Sequence, residues 1–309
     1  MIERNITLDY FKILLATLVI TIHMQPLFTQ GSLLGWLISN GISRIAVPCF
    51  FIINGYFIFS KITDKKAIFK YLKRLLIIYI VWALIYLPFT FGGSIPKTLL
   101  NLFVGYYHLW YVPALIIGVA LLFILKKFIR NNYVLLFIAI ALYFIGSIIQ
   151  YSFVSTSMAE LLLYRNALFD AFPYIFIGFF IHSIKDKLSD SNFSMVYVLF
   201  AVTLCTLFFE SYLAYHNLTE RDMFASSILF CPALVMIILR HSKYTQNDGY
   251  IGLLSSGIYF SHLLVIMLVK RIFGFGGFNY IYALPLVLLL SGVISAGIIE
   301  INKRIKIFL

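Results

Sequence analysis

Apolar residues run through this chain in blocks of helical length, without the short polar–apolar alternation of an outer-membrane barrel strand. A helix needs about 20 mostly apolar residues to cross a bilayer. Ten blocks meet that requirement: 6–28, 42–60, 71–91, 108–126, 133–151, 168–184, 195–213, 224–240, 250–270 and 280–301. The pattern predicts an all-α, polytopic transmembrane bundle of about ten spanning helices, forming a single integral membrane domain over residues 1–309. The connections are short and leave no room for a separate soluble domain. The first block is broken by charge and lacks a small-x-small cleavage site, so it reads as a spanning helix and not as a cleaved signal peptide.

Composition agrees. Hydrophobic residues make up 62% of the chain and charged residues 12%, against about 25% charged in a soluble domain. The net charge of +12 would suggest nucleic acid in a soluble protein, but here it fits the basic cytosolic loops of a membrane protein. With the N-terminus in the cytosol and ten alternating spans, seventeen Lys and Arg fall on the cytosolic side and six on the outer side. Lys12 lies inside the first span. This bias predicts N-in, C-in. Cys49, Cys205 and Cys231 lie in apolar blocks without metal-ligand spacing, so no metal site or disulfide framework is expected.

The first span carries charge where charge is costly: "LDYFKILLATLVITIH" contains Asp9, Lys12 and His23. At about 100° per residue from Asp9, Lys12 falls near −60°, Ala16 near −20° and His23 near −40°, so the polar groups share one stripe. Lys12 and His23 lie roughly 16 Å apart along the axis. Two readings of Lys12 stay open. It is a functional cation, or it neutralises Asp9 at i,i+3 and snorkels to the cytosolic headgroups. His23 lies too deep to snorkel.

Further polar groups stand at the predicted outer ends. Arg44 opens "RIAVPCFFIINGYF", His108, Trp110 and Tyr111 lie in "YYHLWYVP", Arg165 in "LLLYRNALFD", Glu210 in "LFFESYL", and more charge in "LTERD" at 218–222. Such groups need partners at membrane depth, and one shared polar cavity would supply them. Together with "KYLKRLLIIY" at 70–79, "FPYIFIGFFI" at 172–181 and "SSGIYFSHLLV" at 255–265, these phrases resemble, in order and spacing over nearly the whole chain, the membrane-bound acyltransferase 3 family. That family opens with a basic residue, usually arginine, then ten intervening residues and a histidine. Here Lys12 stands in the arginine's place, keeping the charge and losing the bidentate fork, and His23 is the histidine. Asn54 stands where serine is usual, and the family's basic R-x-x-R phrase is not intact in 70–79.

The resemblance implies an acyl-CoA donor, usually acetyl-CoA, on the cytosolic side, with no permanently bound cofactor. It also implies an acceptor hydroxyl on a surface glycan, such as O-antigen, capsule or exopolysaccharide, or on its lipid-linked precursor. Membrane lipids are the other partner, and no nucleic acid is expected. A bacterial inner (cytoplasmic) membrane enzyme of this kind is an O-acetyltransferase. His23 would be its general base, since a neutral imidazole titrates near operating pH. Arg44, then Arg165, would stabilise the oxyanion. Glu210 would orient His23 or an arginine, bind sugar, or form a buried ion pair. Asp9 and Lys12 would extend the substrate track. Lys70, Lys73 and Arg74 would hold CoA phosphates or act only as topology anchors. Tyr107, Trp110 and Tyr111 would stack on sugars or anchor at the lipid interface. His108 reads as interfacial or as part of the acceptor site, and His262 as a second functional group or a helix–helix hydrogen bond. Two alternatives stand beside this reading: transfer of another acyl group such as succinyl, and a transporter or flippase for a lipid-linked intermediate.

Overall fold

The computed structural model describes residues 2–90, 95–152, 158–247, 249–273 and 280–309. The helices in chain order are α1 (Ile6–His23), α2 (Leu33–Trp36), α3 (Ala46–Ile58), α4 (Lys65–Thr90), α5 (Ile95–Val104), α6 (Tyr111–Phe128) and α7 (Asn132–Tyr151). After these come α8 (Met158–Tyr164), α9 (Phe172–Ile184), α10 (Asp190–His216), α11 (Ser227–Arg240), α12 (Tyr250–Phe273) and α13 (Tyr280–Ile305). Among the described residues, nine helical segments are long and apolar enough to cross a membrane, and α11 is a shorter apolar helix of 14 residues. The protein is thus an all-α, multi-pass membrane bundle.

Two boundaries depart from the hydrophobic pattern. The second span is helical from Leu33 to Lys61, starting before residue 42. It passes through a π-helical turn (Leu37–Gly41) and a 3-10 turn (Ile42–Ile45) before α3. Polar Ser39, Asn40 and Ser43 interrupt the hydropathy there, but all three are buried against protein and so cost the helix nothing in lipid. The other departure is a small sheet. β1 (Ile2–Asn5) pairs antiparallel with β2 (Tyr244–Asn247) in the register Ile2↔Asn247 to Asn5↔Tyr244. Strands this short leave no hydrophobic periodicity to read.

The chain folds as two compact units, one of residues 1–50 and 190–307 with 309, the other of residues 51–189 with 308. In the first, Asn5 caps α1 by accepting the Leu8 amide (2.9 Å), and its own amide donates to Ser242 Oγ (2.6 Å). With the β1–β2 pairing, this places the start of α1 beside the end of α11 and the start of α12. Arg240 at the end of α11 forms an ion pair with Asp190 at the start of α10. At the far end, Glu210 of α10 holds the residues that open α11. Helix α11 therefore crosses this unit from end to end, although its 14 residues reach only about 21 Å. Helix α13 returns along α12: Ser295 Oγ donates to the Leu254 carbonyl (2.9 Å), and a Cβ on Gly257 would lie 2.0 Å from Ser295 Oγ. The first and last helices of this unit therefore have their outer termini at one end, as an even number of crossings requires. Ala16, Ile20, Met24, Ile258, Val265, Ala283 and Val287 form the core between α1, α12 and α13.

The second unit is built around α9, which is buried on every side from Phe172 to Phe179. Its crossing with α3 is a backbone contact. A Cβ on Gly55 would sit 1.9 Å from the Ile175 carbonyl oxygen, and one on Gly178 would sit 1.9 Å from the Ile52 carbonyl oxygen. Without an aqueous driving force between helices, such small-residue crossings provide the packing that holds helices together.

Candidate functional site

The polar stripe of α1 faces α12, and the two helices run parallel. At the proximal end, Asp9 is 2% exposed and takes two cations: Lys12 Nζ at 3.1 Å and Arg4 Nε at 3.3 Å. A Cβ on Gly252 of α12 would lie 2.7 Å from Asp9 Oδ1, and one on Gly249 would lie 2.2 Å from Arg4 Nη1. Both glycines leave the room that the ionic cluster fills. Lys12 thus has the Asp9 partner that i,i+3 spacing predicts. Ala16, midway, is fully buried. At the distal end the His23 ring lies 5.4 Å, centroid to centroid, from the His262 ring, tilted by 35°.

His262 is fully buried, and its Nδ1 lies 2.6 Å from the Tyr259 carbonyl and 3.3 Å from the Ile258 carbonyl. A carbonyl only accepts, so Nδ1 carries the proton, and a neutral His262 has its lone pair on Nε2. The "SSGIYFSH" phrase is thereby accounted for: Gly257 admits Ser295, the Tyr259 carbonyl sets the tautomer, and the Tyr259 ring packs against Phe50 and His262. Two imidazoles meeting at the end of a polar track can hold and pass a proton.

Arg44 is the hub of a second group in the same unit. Its Nη1 donates to Asp222. Its Nη2 donates to Asn40 Oδ1 (2.5 Å) and lies 3.5 Å from Glu220 Oε2. Asn40 and Gln25 exchange two amide hydrogen bonds of 3.0 Å, and the Thr21 and Ser43 hydroxyls meet at 2.6 Å. Thr21 lies about 160° around α1 from His23, so the Arg44 segment meets a different side of α1 from α12. Two carboxylates engage Arg44, so it presents no isolated positive charge, and only Nε remains open. Glu210 orients neither a histidine nor an arginine among its described contacts. Its carboxylate accepts from the Ala225 amide (3.0 Å), the Ser226 amide (2.9 Å) and Ser226 Oγ (2.5 Å). This is an anion at a helix N-terminus, and it fixes the α10–α11 loop that carries Glu220 and Asp222.

The remaining sequence candidates lie in the second unit. Tyr111 is buried, and its hydroxyl accepts from Asn54 Nδ2 (2.8 Å), while Tyr71 Oη donates to Asn54 Oδ1 (2.8 Å). Asn54 thus joins α3, α4 and α6, with Tyr111 held in that network. His108 is buried inside protein, edge-on to Tyr86 (5.1 Å). Arg165 stacks over Trp110 at 5.1 Å, and Tyr107 is exposed. Lys70, Lys73 and Arg74 are exposed on the opening turns of α4.

Sequence reasoning did not pair Arg44 with Asp222, although "LTERD" was marked as charge in need of a partner. Gln25, Asn40, Thr21 and Ser43 went unselected. Their signal was polar side chains inside apolar blocks. His182 was also missed: its Nδ1 lies 2.9 Å from the Tyr56 carbonyl, and its ring stacks on Phe59. Among the described residues no three His, Cys, Asp or Glu side chains gather as a metal site.

Comparison with known proteins adds the following. An amino-acid racemase of Enterococcus faecalis is 26% identical over 331 aligned positions, covering 97% of this chain and 47% of that protein. A serine/alanine racemase of Enterococcus gallinarum is 30% identical over 294 positions, covering 84% of this chain and 40% of its own length. The chain therefore spans less than half the length of these curated relatives. No solved structure matches it significantly. The model of the acyltransferase domain matches residues 5–300, nearly the whole chain, and the protein belongs to the acyltransferase 3 family.

Proposed function

We propose that this protein is an O-acetyltransferase of the cytoplasmic membrane. It transfers acetyl from cytosolic acetyl-CoA to a hydroxyl of a surface glycan or its lipid-linked precursor. The observation that carries the reading is the meeting of His23 and His262 at the distal end of the α1 track, in a chain of acyltransferase type. The lysine and arginine bias of the alternating loops supports a cytosolic N-terminus. Lys70, Lys73 and Arg74 supply cations for CoA phosphates.

In this reaction His23 removes the proton as the acceptor oxygen attacks the thioester carbon. The tetrahedral oxyanion collapses, the C–S bond breaks, and the CoA thiolate recovers the proton from the imidazolium. Acetyl ester and CoA thiol are the products. His262 positions His23, with its Nε2 lone pair set by the Tyr259 bond. Radiolabelled acetyl-CoA, incubated with the purified protein and a base-stripped surface glycan, tests the reading. Label in the glycan supports it, and label only in unreacted CoA overturns it.

The names of the Enterococcus relatives favour a second reading, in which the bundle serves an amino acid as acceptor or as cargo. Uptake of labelled serine or alanine into proteoliposomes, with no acetyl transfer to glycan, would select it.

A further inference from the structure

Besides Ser291 Oγ on α13, the buried polar atoms of the first unit without a hydrogen-bond partner among the described residues include Arg44 Nε, Ser211 Oγ and Thr219 Oγ1. These last three belong to one neighbourhood. Ser211 Oγ would lie 2.7 Å from a Cβ on Gly41, one helical turn before Arg44. Thr219 precedes Glu220, which touches Arg44. The Arg44 side chain is only 10% exposed. Buried polar groups in folded proteins are almost always satisfied, so a cluster of unsatisfied ones marks a place where something else donates and accepts. The backbone there is also irregular: the π-helical turn Leu37–Gly41 runs directly into the 3-10 turn Ile42–Ile45, and such distortions concentrate at functional sites.

The surroundings define the ligand's chemistry. Arg44 against Glu220 and Asp222 leaves no surplus positive charge, so a polyanion such as CoA gains nothing there. Carboxylates and hydroxyls together match a ligand that both donates and accepts at many points. Trp36 and Tyr215 pack edge to face at 5.9 Å beside Ser211, and both are half-buried. Trp36 Nε1 donates to the Ser211 carbonyl (3.2 Å). Amphipathic rings next to polar groups suit a molecule with hydroxyl edges and apolar C–H faces.

We propose that Arg44, Ser211 and Thr219 form the acceptor-binding site, and that its ligand is an uncharged saccharide held through its hydroxyls. This rests on the acyl-transfer reading for its place in the reaction, but not for binding itself. It assigns Arg44 to holding the acceptor, and not to the oxyanion.

The test uses the full chain in nanodiscs and, as probe, tritiated surface polysaccharide of the source cells, stripped of acyl groups with mild base. Arg44→Lys keeps a charge for Asp222 and removes the Nε donor. Ser211→Ala and Thr219→Val each remove one hydroxyl. The expected result is retention of the probe by the wild type, with binding weakened roughly tenfold in Arg44→Lys and severalfold in each hydroxyl variant. In the transfer assay, KM for polysaccharide rises in parallel, while KM for acetyl-CoA moves less than about twofold. Should Arg44→Lys fail to fold, the two hydroxyl variants carry the test. Equal probe binding by wild type and all folded variants overturns the site, even where acetyl transfer is intact. Absence of probe binding to the wild type overturns it as well. Probe binding that depends on these residues, without acetyl transfer, keeps the site and refutes the transferase reading instead.

Discussion

The His23 ring stands 5.4 Å from the His262 ring, joining the last residue of α1 to the middle of α12. The Tyr259 carbonyl fixes His262 with its proton on Nδ1. Replacing His23 with Ala removes the imidazole proposed as the general base. It is expected to lower acetyl transfer by about 10²-fold or more while the protein still inserts and accumulates. Wild-type transfer by that variant would end the role given to His23.

His262→Phe keeps an aromatic ring and removes the Nε2 lone pair. If His262 orients the His23 ring, as proposed, kcat should drop while KM for acetyl-CoA stays near the wild-type value and the protein still accumulates. A merely structural role would lower the melting temperature and leave kcat of the folded protein unchanged.

Gly55→Ala and Gly178→Ala each drive a methyl into a backbone carbonyl, which cannot swing aside as a side chain would. Each should lose about 1–3 kcal/mol of stability, read as a fall in melting temperature in detergent. Gly292→Ala, where a Cβ meets nothing within 4 Å, is the control and should not fall.

Asp9→Asn leaves Arg4 and Lys12 facing each other without the carboxylate that joins them. Removing one member of a fully buried pair costs about 3–5 kcal/mol, and the part-exposed cations reduce this to about 1–3 kcal/mol. Asp9→Asn combined with Lys12→Met should recover part of the loss. A double variant as unstable as the sum of the singles would show that the ion pair contributes nothing.

Topology can be read by thiol labelling. In a Cys205→Ser background, Leu218→Cys should react with an impermeant maleimide in intact cells. Lys243→Cys should react only after permeabilisation. Both positions are exposed, and they lie at opposite ends of the first unit. The reverse pattern would invert the N-in, C-in orientation and with it the side from which the donor arrives.

The sequence by itself determined the class of the fold and the stripe on α1. Ten apolar blocks in a chain with 12% charge leave no alternative to a membrane bundle, and a 100° periodicity is a local property that survives without knowledge of any neighbour. Motif glycines, serines and histidines were visible too, but only as letters. Tertiary structure decided what each one touches. Gly55 and Gly178 proved to be two halves of one crossing, distant in sequence and in contact through their backbones. Glu210 became the cap of α11, Arg44 the partner of Asp222, and Tyr111 the partner of Asn54. A charge at membrane depth must find a partner, which the sequence states; which partner it finds depends on how helices far apart in the chain lie side by side, and no local pattern contains that information.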